Sequence, residues 1–255
     1  MNALSAALIT KNEARNIRRC LDFLKWTDEI VLVDTGSQDE TVRIAREYGC
    51  EVYNIEWEGF GPAKQYAVDR TSNLWVLVVD ADEVVTPELR DSIRGILREP
   101  VYNGYTIRRK SFYLGKPIQY CGWGNDYVLR LFHKNHGRFD EKRVHESIHI
   151  EGKPGVIDAP LLHYTYPTVG DHVRKMELYA GLSAMRKYEQ SRSVTLAGAI
   201  IRGIMKFFKM YGLQLGFMDG KPGLVLSLNS AYGVYLKYLN LWELNRKGGN
   251  SRATE

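Results

Sequence analysis

The chain has 255 residues, of which 44% are hydrophobic and 25% charged, and it carries a net charge of +5. That length excludes two large domains, and that balance excludes a chain without a core. The basic excess suits an anionic partner: a nucleotide diphosphate, a nucleic acid or an anionic membrane surface.

The first residues, MNALSAALITKNEARN, have no basic lead and only a short apolar run, so no signal peptide is expected. Leu4–Thr10 reads as a buried strand. Thr10 or Asn12 is positioned to cap a helix reaching Leu24, with Ile17, Leu21 and Leu24 on one face. Glu29–Val33 is a second apolar strand ending at Asp34, and Gln38–Tyr48 a helix closed by Gly49. Glu51–Ile55 predicts a third strand, Pro62–Arg70 a helix, and Leu74–Val79 a fourth strand ending at Asp80. Thr86-Pro87-Glu88 is a helix start with Thr86 as its cap. Near-continuous apolar strands alternating with helices predict a mostly parallel sheet covered on both faces.

From Tyr102 to Tyr166, short aromatic and β-branched runs broken by Gly and Pro predict hairpins laid against the sheet. Helices are expected over Val169–Glu189, Thr195–Tyr211 and Leu224–Leu244. Cys20, Cys50 and Cys121 form no CxxC, which argues against a disulfide framework or structural zinc and for a reducing cytoplasm. No stretch approaches the length of a spanning helix.

Ligands of open parallel sheets bind beyond the carboxyl ends of the strands. Those ends here carry Thr10-Lys11-Asn12-Glu13, then Asp34 with Ser37 and Asp39, then Asp80-Ala81-Asp82-Glu83. Carboxylates gathered on one edge call for a cation, and Mg²⁺ or Mn²⁺ takes such oxygens together with substrate phosphates. The alternative for the Asp80–Glu83 run is an acidic turn before a helix, favoured by the helix dipole. No glycine-rich phosphate loop is present, which argues against a Rossmann dehydrogenase or a P-loop enzyme.

An apolar strand ending in Thr10–Glu13, then VDTGSQDET (33–41), then VVDADE (78–83) resembles the family 2 inverting glycosyltransferases of GT-A fold. WGNDYVLRLFHK (123–134), RVHES (143–147), LLHY (161–164), GFMDG and KYLNLWE extend the likeness to bacterial lipopolysaccharide inner-core β-1,4-glucosyltransferases. The resemblance implies metal-dependent transfer of glucose from UDP-glucose to a heptose of the inner core. It implies a GT-A domain over residues 1–166 with a helical extension over 167–246. Its partners would be a nucleotide-sugar donor and a lipid-linked oligosaccharide acceptor. The polar tail over 247–255 is expected to be disordered.

By the same resemblance, Thr10, Glu13, Asp34, Asp80 and Ala81 belong to the donor site, and Asp82 to the metal. Lys64 is either a donor-pocket cation or an exposed helix lysine, and Asp39 reads better as a helix cap. The general base is expected to be Glu146, with Asp126 as the alternative. His163 is either a structural histidine or the late histidine of a metal site; Arg130 pairs either with phosphate or with a carboxylate.

Arg202, Lys206 and Lys209 interleave with apolar and aromatic residues. That pattern suits a helix lying on a membrane or one packed on the domain. The resemblance favours the membrane, on the cytoplasmic face of a bacterial inner membrane. Nucleic-acid binding is not expected, since no module signature is present. Competing readings are a GT-A transferase of another sugar onto another acceptor, and a non-catalytic nucleotide-sugar-binding or membrane-scaffold protein.

Overall fold

The structure, a computed structural model, describes residues 2–140 and 147–251. The chain forms two compact units, Met1–Lys110 with Asn125–His163, and Ser111–Gly124 with Tyr164–Glu255.

The first unit opens with β1 (Leu4–Thr10), α1 (Ile17–Asp22), β2 (Glu29–Asp34), α2 (Thr41–Glu47) and β3 (Glu51–Asn54). It continues with α3 (Phe60–Arg70), β4 (Trp75–Val78), β5 (Glu83–Val85), α4 (Pro87–Ile96) and β6 (Gly104–Tyr113). The short β7 (Lys116–Pro117) belongs to the second unit; β8 (Asp126–His133), β9 (Gly137–Phe139), β10 (Ile148–Ile150) and β11 (Gly155–Tyr166) follow. Among the described residues the main sheet runs in the order β3-β2-β1-β4-β8-β6-β11-β5; β7 pairs with the Phe112–Tyr113 end of β6, which lies with it in the second unit. β3, β2, β1 and β4 pair in parallel, whereas β4 with β8, β8 with β6, and β11 with β5 pair antiparallel. The 102–166 segment therefore does not lie against the sheet as expected but extends it. The exposed edge groups of β4 find their hydrogen bonds in β8, which leaves no open ladder there.

Both faces of β1 are buried, and the strand's period of two splits its side chains between them. Leu4, Ala6 and Leu8 pack with Ile17 and Leu21 of α1, Ile44 of α2 and Leu89 and Ile93 of α4. Ala7 packs on the other side with Ala67 and Val68 of α3 and Phe132 of β8. The α/β architecture expected of a GT-A fold is present.

Local chemistry trimmed two helices. The first begins at Ile17, not after Thr10 or Asn12, because the residues between are tied elsewhere. Asn12 takes a left-handed conformation (φ 56°). Its amide donates to Ser37 Oγ at 2.8 Å, and its own Oδ1 accepts from the Gln38 amide at 2.8 Å. The second helix begins at Thr41 rather than Gln38, since Gln38 and Asp39 serve that same loop pair. Gly49, at φ 76°, closes it as expected. Thr86 caps α4, its Oγ1 accepting from the Leu89 amide at 3.2 Å.

In the second unit, α5 (Val169–Glu189) and α6 (Leu196–Phe208) are followed by a π-helical turn over Lys209–Leu213 and a 3₁₀ turn over Gly216–Asp219. The long α7 (Gly220–Ser251) then packs on both α5 and α6. Close approach is carried by glycine. A Cβ on Gly203 of α6 would lie 3.0 Å from Tyr235 Cβ, and one on Gly233 of α7 would lie 2.6 Å from Met176 Cγ. A buried polar cluster joins Tyr113 Oη to His172 Nδ1 at 3.0 Å, with Asn229 Nδ2 3.2 Å from the same hydroxyl. Burial pushes the His172 imidazole down to about 4, so the ring is neutral near neutral pH. Among the described residues no helix is long and apolar enough to cross a membrane.

Candidate functional site

The parallel set β2-β1-β4 aligns its strands so that their carboxyl ends share one edge. Thr10 stands opposite Asp34 in the register, and β4 runs out beside β1 into Asp80. Thr10, Asp34, Asp80, Ala81 and Asp82 are thus brought to one edge of the first unit, as the strand-end argument requires.

Asp34 is buried and spends its carboxylate on its own loop. Oδ2 accepts from the amides of Gly36 and Ser37 at 2.9 and 2.8 Å, and Oδ1 from Thr10 Oγ1 at 3.2 Å and from Ser37 Oγ. The Thr35 amide and hydroxyl both donate to the Thr10 carbonyl, at 3.0 and 3.1 Å. Glu13 is half-buried; its amide donates to Thr41 Oγ1 and its Oε2 accepts from Asn16 Nδ2, both at 2.8 Å. Asp39 accepts from the Thr41 amide at 3.0 Å just ahead of α2, but the N-cap position of that helix is Glu40, with no side-chain cap. Asp39 also reaches the Ala14 amide at 3.1 Å. The loops after β1 and β2 are thereby stitched into one wall by side chains that sequence alone shows only as polar loop residues.

The acidic run after β4 is a tight turn. The Glu83 amide donates to the Asp80 carbonyl at 2.8 Å, and the chain enters β5 rather than a helix. The helix-dipole reading of this run is overturned, because α4 starts only at Pro87. Asp80 sits between two cations: Oδ1 lies 2.8 Å from Lys64 Nζ and Oδ2 2.5 Å from Arg130 Nη2. Burial opposes ionisation of Asp80. The charges of Arg130 and Lys64 outweigh it and hold the carboxyl well below the usual carboxylate range. Lys64 is buried on α3, so it is not an exposed helix lysine.

Arg130 Nη2 also lies 2.7 Å from Glu83 Oε1, and Glu83 is wholly buried. Of the two readings of Arg130, the structure holds the carboxylate pairing. Arg109 continues the chain of charges. It lies 3.5 Å from Glu83 and grips Asp126 Oδ2 through Nε at 2.8 Å and Nη2 at 2.7 Å. This bidentate grip follows from register, since Arg109 of β6 stands opposite Asp126 of β8. Sequence reasoning missed Arg109 entirely. Only the pairing of two strands that begin 22 residues apart puts it beside Asp126.

Asp82 and His163 form a separate pair. His163 stands in the interior of β11, opposite Glu83 of β5, and its Nε2 is 3.4 Å from Asp82 Oδ2. Ala81 between the two aspartates is buried in the core, which turns Asp80 and Asp82 to different partners. Behind the turn, Cys20 donates toward the Asp80 carbonyl at 3.7 Å. Burial, then the charges of Glu83, Asp82 and Asp80, push its thiol well up, so it stays protonated.

Of these residues, Asp82 and His163 are the two that could hold a divalent cation. Among the described residues no three His, Cys, Asp or Glu side chains gather into a protein cage for a metal. Adjacent ligands on an ion with bonds of roughly 2.1 Å stand about 3 Å apart. The Asp82–His163 spacing suits two such ligands, with the other positions left to diphosphate oxygens and water. Asp80, held by two cations, does not suit that role. Glu146 lies outside the described residues, so Asp126 is the one of the two expected base residues whose surroundings are visible.

A family model described as glycosyl transferase family 2 matches residues 5–148, more than half of the chain. An uncharacterized glycosyltransferase of Rickettsia prowazekii is 28% identical over 265 residues, covering 98% of this chain and 90% of the relative. LpsC of Rhizobium meliloti, named a lipopolysaccharide core biosynthesis glycosyltransferase, is 27% identical over 251 residues, covering 92% of this chain and 93% of that protein. Among solved structures, S. aureus TarS aligns over 96% of this chain and 92% of its own, with 15% identity and a TM-score of 0.48.

Proposed function

The chain belongs to glycosyl transferase family 2 and is a glycosyltransferase, and from that premise we propose that it moves glucose from UDP-glucose onto a heptose of a lipopolysaccharide inner core, with inversion. The acceptor reading is supported by the whole-length likeness to a protein named for lipopolysaccharide core biosynthesis. The donor-site reading is carried by one observation: Asp80 is clamped by Lys64 and Arg130, while Asp82 faces His163.

In this reading the wall built from Thr10, Glu13 and Asp34 receives the nucleoside. Its shape is set before any ligand arrives, since the Asp34 carboxylate already satisfies two amides and two hydroxyls. Lys64 and Arg130 fix the Asp80–Glu83 turn, which holds Asp82 against β11. Asp82 and His163 would hold Mg²⁺ or Mn²⁺. When bound, the ion neutralises charge on the departing diphosphate. Inversion is a single displacement: the acceptor oxygen bonds to the anomeric carbon as the bond to the diphosphate oxygen breaks. A base takes the hydroxyl proton. Glu146 is assigned that role, with Asp126 as second choice. Asp126 accepts two hydrogen bonds from Arg109, both on Oδ2.

The test is release of UDP from a panel of sugar nucleotides, with a truncated lipopolysaccharide as acceptor. UDP-glucose should be turned over with Mg²⁺ or Mn²⁺, and Asp82→Ala should abolish turnover. Full activity of that variant in a chelator refutes the metal assignment. Preference for another donor or acceptor moves the substrate reading within the same fold. Glu146→Gln should bind donor and fail in transfer; transfer at the parent rate reassigns the base to Asp126.

A further inference from the structure

About half of the large apolar side chains that the described residues leave exposed lie between Leu196 and Tyr232, about a seventh of the chain. On α6 the inward positions are the small Ala199 and Gly203, while Ile200, Ile204, Met205 and Phe208 stand in the open. The turn beyond α6 exposes Leu213 at 84% and Phe217 at 52%. An apolar groove of about 410 Å³, lined by Ile204 and Phe207 of α6 and Tyr232 and Tyr235 of α7, joins the two helices into one surface. Burying these side chains drives folding everywhere else in the chain, so leaving them in water is costly unless something covers them.

The charges around them select the cover. Between Thr195 and Trp242 the sequence carries Arg202, Lys206, Lys209, Lys221 and Lys237 against a lone acid, Asp219. That acid is spent, its two oxygens accepting from the amides of Gln119 and Tyr120 at 3.0 and 2.9 Å. Lys209 and Lys221 are exposed beside the apolar side chains. A second copy of this chain is a poor occupant, because a two-fold interface would set these cations against themselves. An anionic bilayer complements both features: acyl chains take the apolar side chains and phosphate headgroups the lysines. No described helix is long and apolar enough to cross, so the contact is one of lying on the surface.

We infer that α6, the turn after it and the start of α7 form an interfacial docking face for an anionic lipid surface. The full chain is co-sedimented with phosphatidylcholine vesicles, with and without phosphatidylglycerol, at low and high salt. Binding should require phosphatidylglycerol and weaken with salt. Met205→Gln with Leu213→Gln should lower partitioning at least about tenfold, from two apolar side chains that no longer insert. Lys209→Gln with Lys221→Gln should lower it about tenfold on the anionic vesicles and leave the zwitterionic ones unchanged. Thermal melts matching the parent show that both variants are folded. Absence of vesicle binding by the parent, or binding that neither variant changes, overturns the inference. So does a parent dimer in light scattering that the Met205/Leu213 variant converts to monomer, which would make the face a self-association surface.

Discussion

Replacement of Arg130 by methionine tests the charge network from its centre. Arg130 is buried and answers two carboxylates, Asp80 at 2.5 Å and the wholly buried Glu83 at 2.7 Å. The variant keeps Lys64 beside Asp80 and leaves Glu83 with Arg109, 3.5 Å away. Breaking a buried pair by removing one partner costs about 3–5 kcal/mol, because the remaining charge stays out of water. At about 2–4 °C per kcal/mol for a chain of this size, Tm should fall by roughly 10 °C. The loss should also depend on pH. Asp80 in the folded chain ionises well below its ordinary 3.8, so its stabilisation is present above about pH 4 and is lost as pH falls further. Without the Arg130 guanidinium the folded carboxyl moves back up and has less to lose. Urea denaturation should therefore show the parent and variant far apart at neutral pH and converging in acid. Adding Glu83→Gln should recover at least about 1 kcal/mol relative to the sum of the two single losses. A loss under about 1 kcal/mol, or the same loss at neutral and acid pH, would refute the argument.

Thr86→Ala removes the α4 cap and the bond from Thr86 Oγ1 to the Pro160 carbonyl at 2.9 Å. It should cost about 1–2 kcal/mol in urea denaturation. Gly124→Ala sets a Cβ 2.0 Å from the Gln119 carbonyl oxygen, so the 119–124 turn must shift. Hydrogen exchange at the Gln119 and Tyr120 amides should rise in that variant, and unchanged protection would count against the contact. Nuclear magnetic resonance of the His172 ring should give a midpoint at about 4 rather than the ordinary 6.5. With the folded value depressed, the stability tied to this neutral ring is present above about pH 6.5 and drains as pH falls toward 4. His172→Gln should flatten that slope, and a ring titrating near 6.5 would show that it is not buried as described.

The sequence by itself determined the four strands of the parallel half and the chemistry at their ends. Apolar runs such as Leu4–Thr10 can only be buried on both faces, and such strands end where polar residues begin, so Thr10, Asp34 and Asp80 were visible as edge residues. Motif order made the family legible, and the match over residues 5–148 bears it out. Where Gly49 would close a helix was legible too, because a helix end is set within a few residues.

What the sequence could not decide are the partners of each charge. Glu83 looked like the end of an acidic turn, yet it is the buried hub between Arg130 and Arg109. Asp80 and Asp82 are two residues apart and chemically identical, but one is held by Lys64 and Arg130 and the other lies against His163. Lys64, Arg109, Arg130 and His163 come from four separate elements, α3, β6, β8 and β11. Side-chain ion pairs act over a few ångströms, and chain segments that distant in sequence come within that range only after the sheet has paired β4 with β8, β8 with β6, and β11 with β5. Tertiary register, which no local pattern encodes, therefore assigned each carboxylate its partner.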